Sequence, residues 1–290
     1  MIAVRMKEKI ILGTVQLGLP YGINNKEGKP TEEEAFKILD FAFSNEITSL
    51  DTADGYGEAL QIIGRYKALS KRSFRIINKF KADETTLFDK LSRSLNLLQV
   101  PSLSCYMYHH FPDYLSGSLI QDLRELKKKG LTDKIGISLY NVNQLSHVVD
   151  DKDIDVIQIP VNILDLSKEK EALLIKAREN GKEIHARSVY LQGLFLKRIT
   201  ALTGNLTGMR PYLEMIQRTS LNHNIDIKKA ALNFVLQKKY VDHVVLGIDH
   251  VSQLKENLAM IDPSLEAHIF DGIEVDSANA YLLNPANWKP

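Results

Sequence analysis

Four residues with side chains suited to proton chemistry follow short apolar segments of the chain: Asp51, Tyr56, Lys79 and His109. A tyrosine hydroxyl is a poor acid at neutral pH because its ordinary pKa is about 10. A nearby lysine ammonium favours the phenolate, and an aspartate would hold that lysine charged and in place. An imidazole could orient a carbonyl group beside them. Together the four side chains predict a site that protonates a carbonyl oxygen, and hydride must come from a bound cofactor because no side chain supplies one.

Taken singly, each of these residues has a simpler structural explanation. Asp51 could cap a turn, Tyr56 could pack in a loop between two glycines, and Lys79 could be a solvated strand end. His109 could be a structural residue at the end of a strand. Catalysis is favoured by their common position, since all four are expected at or just past the ends of successive strands, where barrel enzymes place their chemistry.

The bulk properties are those of an ordinary globular enzyme. The chain has 290 residues, 44% of them hydrophobic, and a net charge of +1. This charge argues against nucleic acid as the main partner, which would require a basic excess. The single cysteine, Cys105, lies in an apolar run and is expected to be a buried filler rather than a nucleophile. No run is long enough for a membrane span and no signal-peptide pattern opens the chain, so we expect a cytoplasmic protein.

Short apolar runs alternate with amphipathic segments along the chain, which is the pattern of βαβ units. Eight parallel strands with helices between them predict an α/β fold, a (β/α)₈ TIM barrel, and we expect residues 1–290 to form a single domain. An open doubly wound sheet is the alternative, but no glycine-rich dinucleotide fingerprint follows an early strand. The predicted strands are Ile10–Leu12, Thr48–Leu50, Phe74–Asn78, Ser104–His109, Lys134–Ser138, Val156–Ile159, Glu183–Ser188 and His243–Leu246.

Helix boundaries are also visible in the sequence. Thr31 and the three glutamates after it form a capping box that predicts a helix ending near Ser44. The residues from Asp83 to Thr86 open a second helix that continues to Leu98. Further helices are predicted over 116–129, 143–149 and 168–180, with Gly130 and Gly181 as C-terminal stops.

Two regions are longer than simple connections: 189–211 after the seventh strand, and the tail 261–290. Both are expected to lie over the catalytic rim, because the loops that follow the strands emerge there. The tail contains Trp288, the only tryptophan, which could be one wall of the substrate pocket or part of a packed terminal extension.

Seven stretches make the chain similar to the aldo/keto reductases over nearly its whole length. They stand in the family's order: LGTVQLG (12–18), LDTADGYG (50–57), INKF (77–80), IGISLYN (135–141), VIQIPVNILD (156–165), RSVYLQGLF (187–195) and VVLGIDHVSQLKENL (244–258). A single short string would be weak support, but their common order and spacing identify the chain as a member of that family.

Carried over residue by residue, the resemblance implies that Tyr56 is the general acid, that Lys79 lowers its pKa and that Asp51 pairs with Lys79. It implies that His109 orients the carbonyl and stabilises the developing oxyanion. His110 is a competing assignment, but an ungapped comparison of the stretch that ends in CYMYHH places the catalytic histidine at 109.

The resemblance also implies a set of cofactor contacts. Ser138 and Gln158 would bind the nicotinamide carboxamide with Asn162 nearby, residues 188–193 would line the pyrophosphate, and the last strand and its helix would surround the adenosine. The implied cofactor-binding residues are Gly13, Thr14, Ser138, Gln158, Arg187, Ser188, Leu191, Gln192, Gly193, Gly247, Gln253 and Asn257.

Three positions depart from the family pattern. Arg187 stands where members often have a stacking aromatic, and a guanidinium can stack on a flat ring as well as contact phosphate or a hydroxyl. Leu60 replaces a common glutamate. Gln253 stands where an arginine often contacts the 2′-phosphate of NADP, and Asp249 adds a negative charge nearby. NADPH is the expected cofactor from the family, with NADH as the alternative.

The predicted activity is therefore the NAD(P)H-dependent reduction of an aldehyde or ketone, with a small-molecule carbonyl as partner and neither nucleic acid nor membrane. A sugar-derived carbonyl is favoured because the expected pocket is polar; its lining is predicted as Tyr21, Tyr56, His109, His110, Tyr140, Arg187 and Trp288. The alternatives are a regulatory protein that binds cofactor with little turnover, and a Schiff-base enzyme using Lys79. A metal is not expected, since adjacent strand residues such as His109 and His110 point to opposite faces.

Overall fold

The computed structural model describes residues 6–289, and its eight parallel strands close into one barrel in which the last strand pairs with the first. The predicted (β/α)₈ fold is therefore confirmed. Five strands continue one to three residues past their predicted ends, the fifth strand ends as predicted, and the fourth and seventh end one residue earlier. The strands are β1 Ile10–Gly13, β2 Ser49–Ala53, β3 Arg75–Phe80, β4 Cys105–Tyr108, β5 Ile135–Ser138, β6 Val156–Pro160, β7 Glu183–Arg187 and β8 His243–Gly247.

Helices surround the barrel. They are Val15–Gly18, Glu32–Ser44, Ala59–Ser70, Leu87–Leu98, Phe111–Leu115, Ile120–Lys128, Val142–Val148, Lys168–Glu179, Arg210–Asn222, Ile227–Leu236 and Val251–Ala259. Short 3₁₀ helices lie at Leu191–Leu196, Ile199–Ala201, Gly204–Met209, Ala267–Phe270, Ala280–Leu283 and Pro285–Asn287. Among residues 6–289, none of the helices combines the length and the apolar character needed to cross a bilayer.

The capping residues behave as the sequence predicts in two helices. The Thr31 side chain accepts a hydrogen bond from the Glu34 amide, and the Thr86 side chain accepts one from the Asp89 amide. The helix predicted over 116–129 is wrong in its first part. It begins only at Ile120, because Gly117 adopts a φ of 65° and separates it from the helix Phe111–Leu115.

Two layers of apolar side chains hold the barrel together. A small cluster lies among the strands: Ile11, Ile77, Cys105, Met107 and Val156. Cys105 is 1% exposed, in agreement with its predicted role as a buried filler. A much larger cluster joins the outer faces of the strands to the helices. Burial on both faces leaves the strands rigid, so the residues at their carboxyl ends are held in fixed positions.

The end of the tail, residues 276–289, packs against residues 205–212, where the loop that follows β7 leads into the helix Arg210–Asn222. The last helix ends at the opposite end of the barrel, so the chain must return along the outside of the helices Arg210–Asn222 and Ile227–Leu236. Tyr212 donates to Asp276 at 2.5 Å, and the Asn205 amide donates to the Lys289 carbonyl at 3.2 Å. Trp288 donates to the Leu282 carbonyl at 2.8 Å, as expected for a packed terminal extension.

Candidate active site

A cavity of about 420 Å³ opens at the carboxyl ends of the strands. Gly13, Ser138 and Gly247, the final residues of β1, β5 and β8, lie in its wall. The cavity brings together all four residues predicted to do chemistry, Asp51, Tyr56, Lys79 and His109. Of the other residues predicted for the pocket, Tyr21, Tyr140 and Arg187 line it, whereas His110 and Trp288 do not.

Asp51 and Lys79 form a buried ion pair beneath the cavity. They lie within β2 and β3 rather than past the strand ends, because both strands continue further than predicted. Lys79 is 1% exposed and Asp51 is 3% exposed. The Lys79 ammonium donates to one oxygen of Asp51, and Gln158 donates to the other at 2.7 Å. Burial lowers the pKa of Lys79, and the Asp51 carboxylate opposes that change.

Tyr56 is placed above this pair by the turn that follows β2. Its amide donates to the Ala53 carbonyl at 3.0 Å, and the Lys79 ammonium lies 5.2 Å from the centre of its ring. Gly18 packs against the same turn so closely that a Cβ atom there would lie 1.7 Å from the Tyr56 carbonyl oxygen. The turn is therefore held between β2 and the helix Val15–Gly18.

The pKa of the Tyr56 hydroxyl differs in direction from the sequence expectation. Burial raises it, the Asp51 charge raises it further, and the positive charge of Arg187 opposes both. Lys79 is paired with Asp51, and in the resting state the Asp51 charge has the larger effect on the phenol. Tyr56 consequently keeps its proton at neutral pH, which is the state that a general acid requires.

His109, rather than His110, faces the cavity. The rings of Tyr56 and His109 meet edge to face with their centres 5.9 Å apart. Burial lowers the pKa of His109 to about 3, and the Lys79 charge acts in the same direction. The imidazole is therefore neutral near pH 7, with one nitrogen able to donate a hydrogen bond to a carbonyl oxygen.

Nearly all the residues that the resemblance assigns to the cofactor lie in the wall of this one cavity. They are Gly13, Thr14, Ser138, Gln158, Arg187, Ser188, Gln192, Gly193, Gly247, Gln253 and Asn257. Leu191 does not line it, because its side chain is fully buried in the core. Asn162 also lies outside the lining; its amide group donates to the Ser188 carbonyl at 3.1 Å and so holds the loop after β7.

That loop has an unusual backbone conformation. Ser188, Leu191 and Gln192 adopt φ values of 60°, 46° and 51°, and Gly193 follows at 90°. Residues with side chains rarely adopt this left-handed conformation, and such positions concentrate at binding sites. The Leu191 and Gly193 amides donate to the Ser188 and Tyr190 carbonyls at 2.8 Å and 2.9 Å, and these hydrogen bonds hold the loop in this conformation.

A second loop crosses the mouth of the cavity. Asn24 donates to the Gly193 carbonyl at 2.8 Å, and Gln192 donates to the Tyr21 hydroxyl. Asn25 donates to the Asp249 carboxylate at 3.1 Å. Residues 21–25 thus connect the loop after β7 with the loop after β8.

Sequence reasoning did not find several residues of the cavity wall. Gln16 is buried with its side-chain oxygen lacking a hydrogen-bond partner, and Tyr190 donates to Asn257 at 3.0 Å. Lys228 also lines the cavity and pairs with Glu256. Gln16 lies inside the LGTVQLG stretch and could have been found there, but Lys228 belongs to a helix with no distinguishing pattern.

A further group of polar side chains lies where β7 and β8 begin, at the end of the barrel opposite to the cavity. His185 and His243 contact one oxygen of Glu183 at 2.6 Å and 3.4 Å, and Lys134 pairs with the other. Although burial acts in the other direction, the hydrogen bonds from His185 and Lys134 hold the pKa of Glu183 well below its usual range. The spacing is close enough for a metal ion, but Lys134 already supplies the positive charge that Glu183 requires, so we describe the group as an ion-pair network.

The comparisons with known proteins agree with the fold and show the family. The family model described as the aldo/keto reductase family matches residues 9–274, so the chain belongs to the aldo/keto reductase family. It is 24% identical over 256 residues to the aldo-keto reductase str7 of Strobilurus tenacellus, covering 79% of this chain and 76% of the relative. It is 23% identical over 255 residues to the uncharacterized oxidoreductase YqkF of Bacillus subtilis (strain 168), covering 78% and 82%.

Among solved structures, the chain is similar to the aldo-keto reductase AKR11C1 of Bacillus halodurans. The TM-score is 0.73 with 21% identity, and the match covers 97% of this chain and 94% of the other. This structural likeness shows the fold.

Proposed function

We propose that this protein is an NAD(P)H-dependent reductase that converts an aldehyde or ketone to an alcohol. The observation that carries the proposal is the meeting of Asp51, Tyr56, Lys79 and His109 in the same cavity that contains nearly all the residues expected to bind the cofactor. A protein that only bound cofactor would not require a buried lysine–aspartate pair beside a protonated tyrosine.

The residues in the wall fit a nicotinamide dinucleotide. Ser188, Gln192 and Gly193 lie in the cavity wall, where the resemblance places a pyrophosphate. The unpaired side-chain oxygen of Gln16 is an acceptor for an amide or hydroxyl group. Ser138 and Gln158 are neighbours across β5 and β6, where the resemblance places the carboxamide. The similar AKR11C1 was solved in a holo form, which supports the proposal of a bound cofactor here.

Each catalytic side chain has a defined part in the proposed reaction. When bound, the reduced nicotinamide supplies the hydride for the carbonyl carbon. Tyr56 donates its proton to the carbonyl oxygen, and neutral His109 donates a hydrogen bond that orients that oxygen. Lys79 is held in place by Asp51, and its charge stabilises the tyrosinate that forms as the proton leaves.

The proposed substrate is a small, polar carbonyl compound, and a sugar-derived one fits best. Tyr21 and Tyr140 present hydroxyl groups beside the catalytic residues, and Arg187 adds a charged donor. A lining of this kind can bind several hydroxyl groups, whereas it would leave the surface of a large apolar substrate in contact with polar atoms.

NADPH is the proposed cofactor and NADH is the alternative. Asp249 lies in the wall and is the feature that disfavours a 2′-phosphate there. Lys228 is a cation in the same wall, but it is paired with Glu256. The preference between the two cofactors therefore depends on how far Asp249 repels the extra phosphate.

Two measurements together test the proposed function. The protein is titrated with NADPH and with NADH, following nicotinamide fluorescence, and cofactor oxidation is then measured with a panel of small aldehydes. We expect binding of at least one cofactor and turnover of some aldehydes. Binding without turnover of any aldehyde would indicate a cofactor-binding protein instead, and the absence of binding would remove the basis of the proposal.

A further inference from the structure

Arg187 is the cation of the cavity wall for which the structure shows no counter-charge. Its guanidinium donates to the Leu139 carbonyl at 2.9 Å and to the Ser188 hydroxyl at 3.3 Å, and it stacks on the Tyr140 ring at 4.6 Å. All three partners are neutral. Among residues 6–289, no carboxylate oxygen lies within 4.0 Å of this guanidinium.

The other cations of the cavity wall are already paired with carboxylates. Lys79 pairs with Asp51, and Lys228 pairs with Glu256. The remaining carboxylate of the wall, Asp249, accepts a hydrogen bond from Asn25 at the crossing loop. A partly buried guanidinium without a carboxylate therefore gives the reacting part of the cavity a positive potential, and a positive potential attracts anionic ligands.

The position of Arg187 is fixed before any ligand binds. Stacking on Tyr140 fixes the orientation of the guanidinium plane, and the hydrogen bond to the Leu139 carbonyl fixes one end of the group next to the end of β5. A guanidinium has five donors, and the two hydrogen bonds leave the others available for a planar or tetrahedral oxyanion. A pre-positioned fork of this kind loses little conformational entropy on binding.

The charge acts at the catalytic residues rather than at a distant part of the groove. At Tyr56 it opposes the rise in pKa that burial and Asp51 cause, and at His109 and Lys79 it adds to the lowering of the pKa that burial causes. An anion bound by Arg187 would therefore lie close to the carbonyl group that Tyr56 protonates.

We propose that the substrate carries a carboxylate or phosphate group that pairs with Arg187, so that the enzyme reduces the carbonyl group of an acidic compound. This inference rests on the proposed function. In the reaction the carbonyl carbon gains the hydride, the nicotinamide is oxidised, the oxygen takes the proton of Tyr56, and the anionic group is unchanged. Arg187 acts as a positioning residue that sets substrate preference.

Matched substrate pairs test this assignment. One pair is succinic semialdehyde with butanal, and the other is glyceraldehyde 3-phosphate with glyceraldehyde. The quantity measured is the ratio of kcat/KM for the anionic member to that for the neutral member. We expect the wild-type ratio to be about ten or more for at least one pair, because hydrogen bonds to a charged group are stronger than those between neutral groups. The pair with the larger ratio distinguishes carboxylate from phosphate.

Three variants make the result specific to Arg187. Arg187→Gln should bring the ratio close to one, and Arg187→Lys should restore part of it because the charge returns without the fork. Lys228→Gln removes another cation of the same wall and should leave the ratio unchanged. A wild-type ratio near one, or a ratio that Arg187→Gln does not alter, would overturn the inference.

Two further measurements separate this inference from its alternatives. If Arg187→Gln weakens NADPH binding by about tenfold while the substrate ratio stays the same, Arg187 serves the cofactor phosphates and the inference is wrong. If the wild-type protein reduces none of these four aldehydes, the kcat/KM ratios have no value to compare. The inference is then tested by measuring the affinity of each aldehyde for the cofactor-loaded protein by calorimetry. The anionic member of a pair should bind more tightly than the neutral member in the wild-type protein and should lose that advantage in Arg187→Gln.

Discussion

In the proposed reaction, Tyr56 must hold a proton in the resting state and release it as negative charge develops on the substrate. Burial and the Asp51 charge raise the pKa of its hydroxyl, so the first condition is met. The second depends on Lys79, whose ammonium lies 5.2 Å from the centre of the Tyr56 ring, and on Arg187. When Tyr56 becomes negative, both cations stabilise it inside a cavity where charges are weakly screened.

Replacing Tyr56 by phenylalanine removes the proton donor and keeps the ring. Tyr56→Phe should reduce kcat by roughly 10²–10⁴-fold, the usual contribution of a general acid, and should change NADPH affinity little. Tyr140→Phe is the matched control, since it removes another hydroxyl from the same cavity wall and should reduce kcat by less than about tenfold. Equal effects of the two changes would show that Tyr56 is not the acid.

The protonation state of His109 gives a prediction about pH. Its pKa of about 3 lies below the value near 6.5 of an unfolded chain, so the native imidazole stays neutral while the unfolded one gains a proton. His109 therefore lowers stability progressively as the pH falls from about 6.5 toward 3. NMR of the histidine ring carbons should show one resonance, absent in His109→Gln, that does not titrate between about pH 8 and 5. A midpoint near 6.5 for that resonance would contradict the neutral assignment.

Asp249 gives a prediction about cofactor preference. A carboxylate about 6 Å from a phosphate charge repels it by about 3 kcal/mol at an effective dielectric constant near 20, before salt reduces the effect. Asp249→Asn keeps an oxygen that can accept from Asn25, and it should shift the ratio of NADPH to NADH affinity toward NADPH by about tenfold. Asp276→Asn, on the tail outside the cavity, should leave the ratio as it was. An unchanged ratio in Asp249→Asn would place the 2′-phosphate elsewhere.

At the scale of elements, the site depends on how the turn after β2 is held against the helix Val15–Gly18. A Cβ atom on Gly18 would lie 1.7 Å from the Tyr56 carbonyl oxygen, so a larger residue there must displace the turn. Gly64 has a comparable contact, 1.9 Å from the Leu97 carbonyl, between two helices outside the site. Comparing substitutions at these two glycines therefore separates the effect of a general loss of packing from the effect of displacing Tyr56.

Gly18→Ala and Gly64→Ala should both lower the free energy of unfolding, by roughly 1–3 kcal/mol for an overpacked contact. Only Gly18→Ala should also reduce kcat, by about 10²-fold, because a shift of about 1 Å at a catalytic group is enough for such a loss. Stability is measured by denaturant unfolding and turnover by NADPH oxidation. A variant Gly18→Ala with normal turnover and lowered stability would show that the turn can relax without moving Tyr56.

Much of this arrangement could be predicted from local patterns. Apolar runs located the strands, and Thr31 and Thr86 marked the starts of two helices. The shape of the loop after β7 could not be predicted, because Ser188 and Gln192 adopt left-handed conformations without being glycine. Contacts such as that between Tyr21 and Gln192 join residues 171 positions apart and have no local signal.

At the scale of the whole molecule, the order of the strands brings residues from distant segments to one end of the barrel. Gly13 pairs in register with Gly247 and with Asp51, so the first and last strands meet beside the Asp51–Lys79 ion pair. The path of the tail could not be derived in this way, because it depends on packing against the outer helices rather than on strand order. That residues 1–290 form a single domain stays a prediction.

The central claim is that this cavity transfers a hydride from a reduced nicotinamide to a carbonyl carbon. The most direct measurement uses NADPH deuterated at both positions of nicotinamide C4, an aldehyde that the protein accepts, and mass spectrometry of the alcohol. We predict that the alcohol carries one deuterium on the former carbonyl carbon, and that Tyr56→Phe forms it at least about 10²-fold more slowly. An alcohol without deuterium, or bound cofactor that never yields alcohol, would contradict the claim.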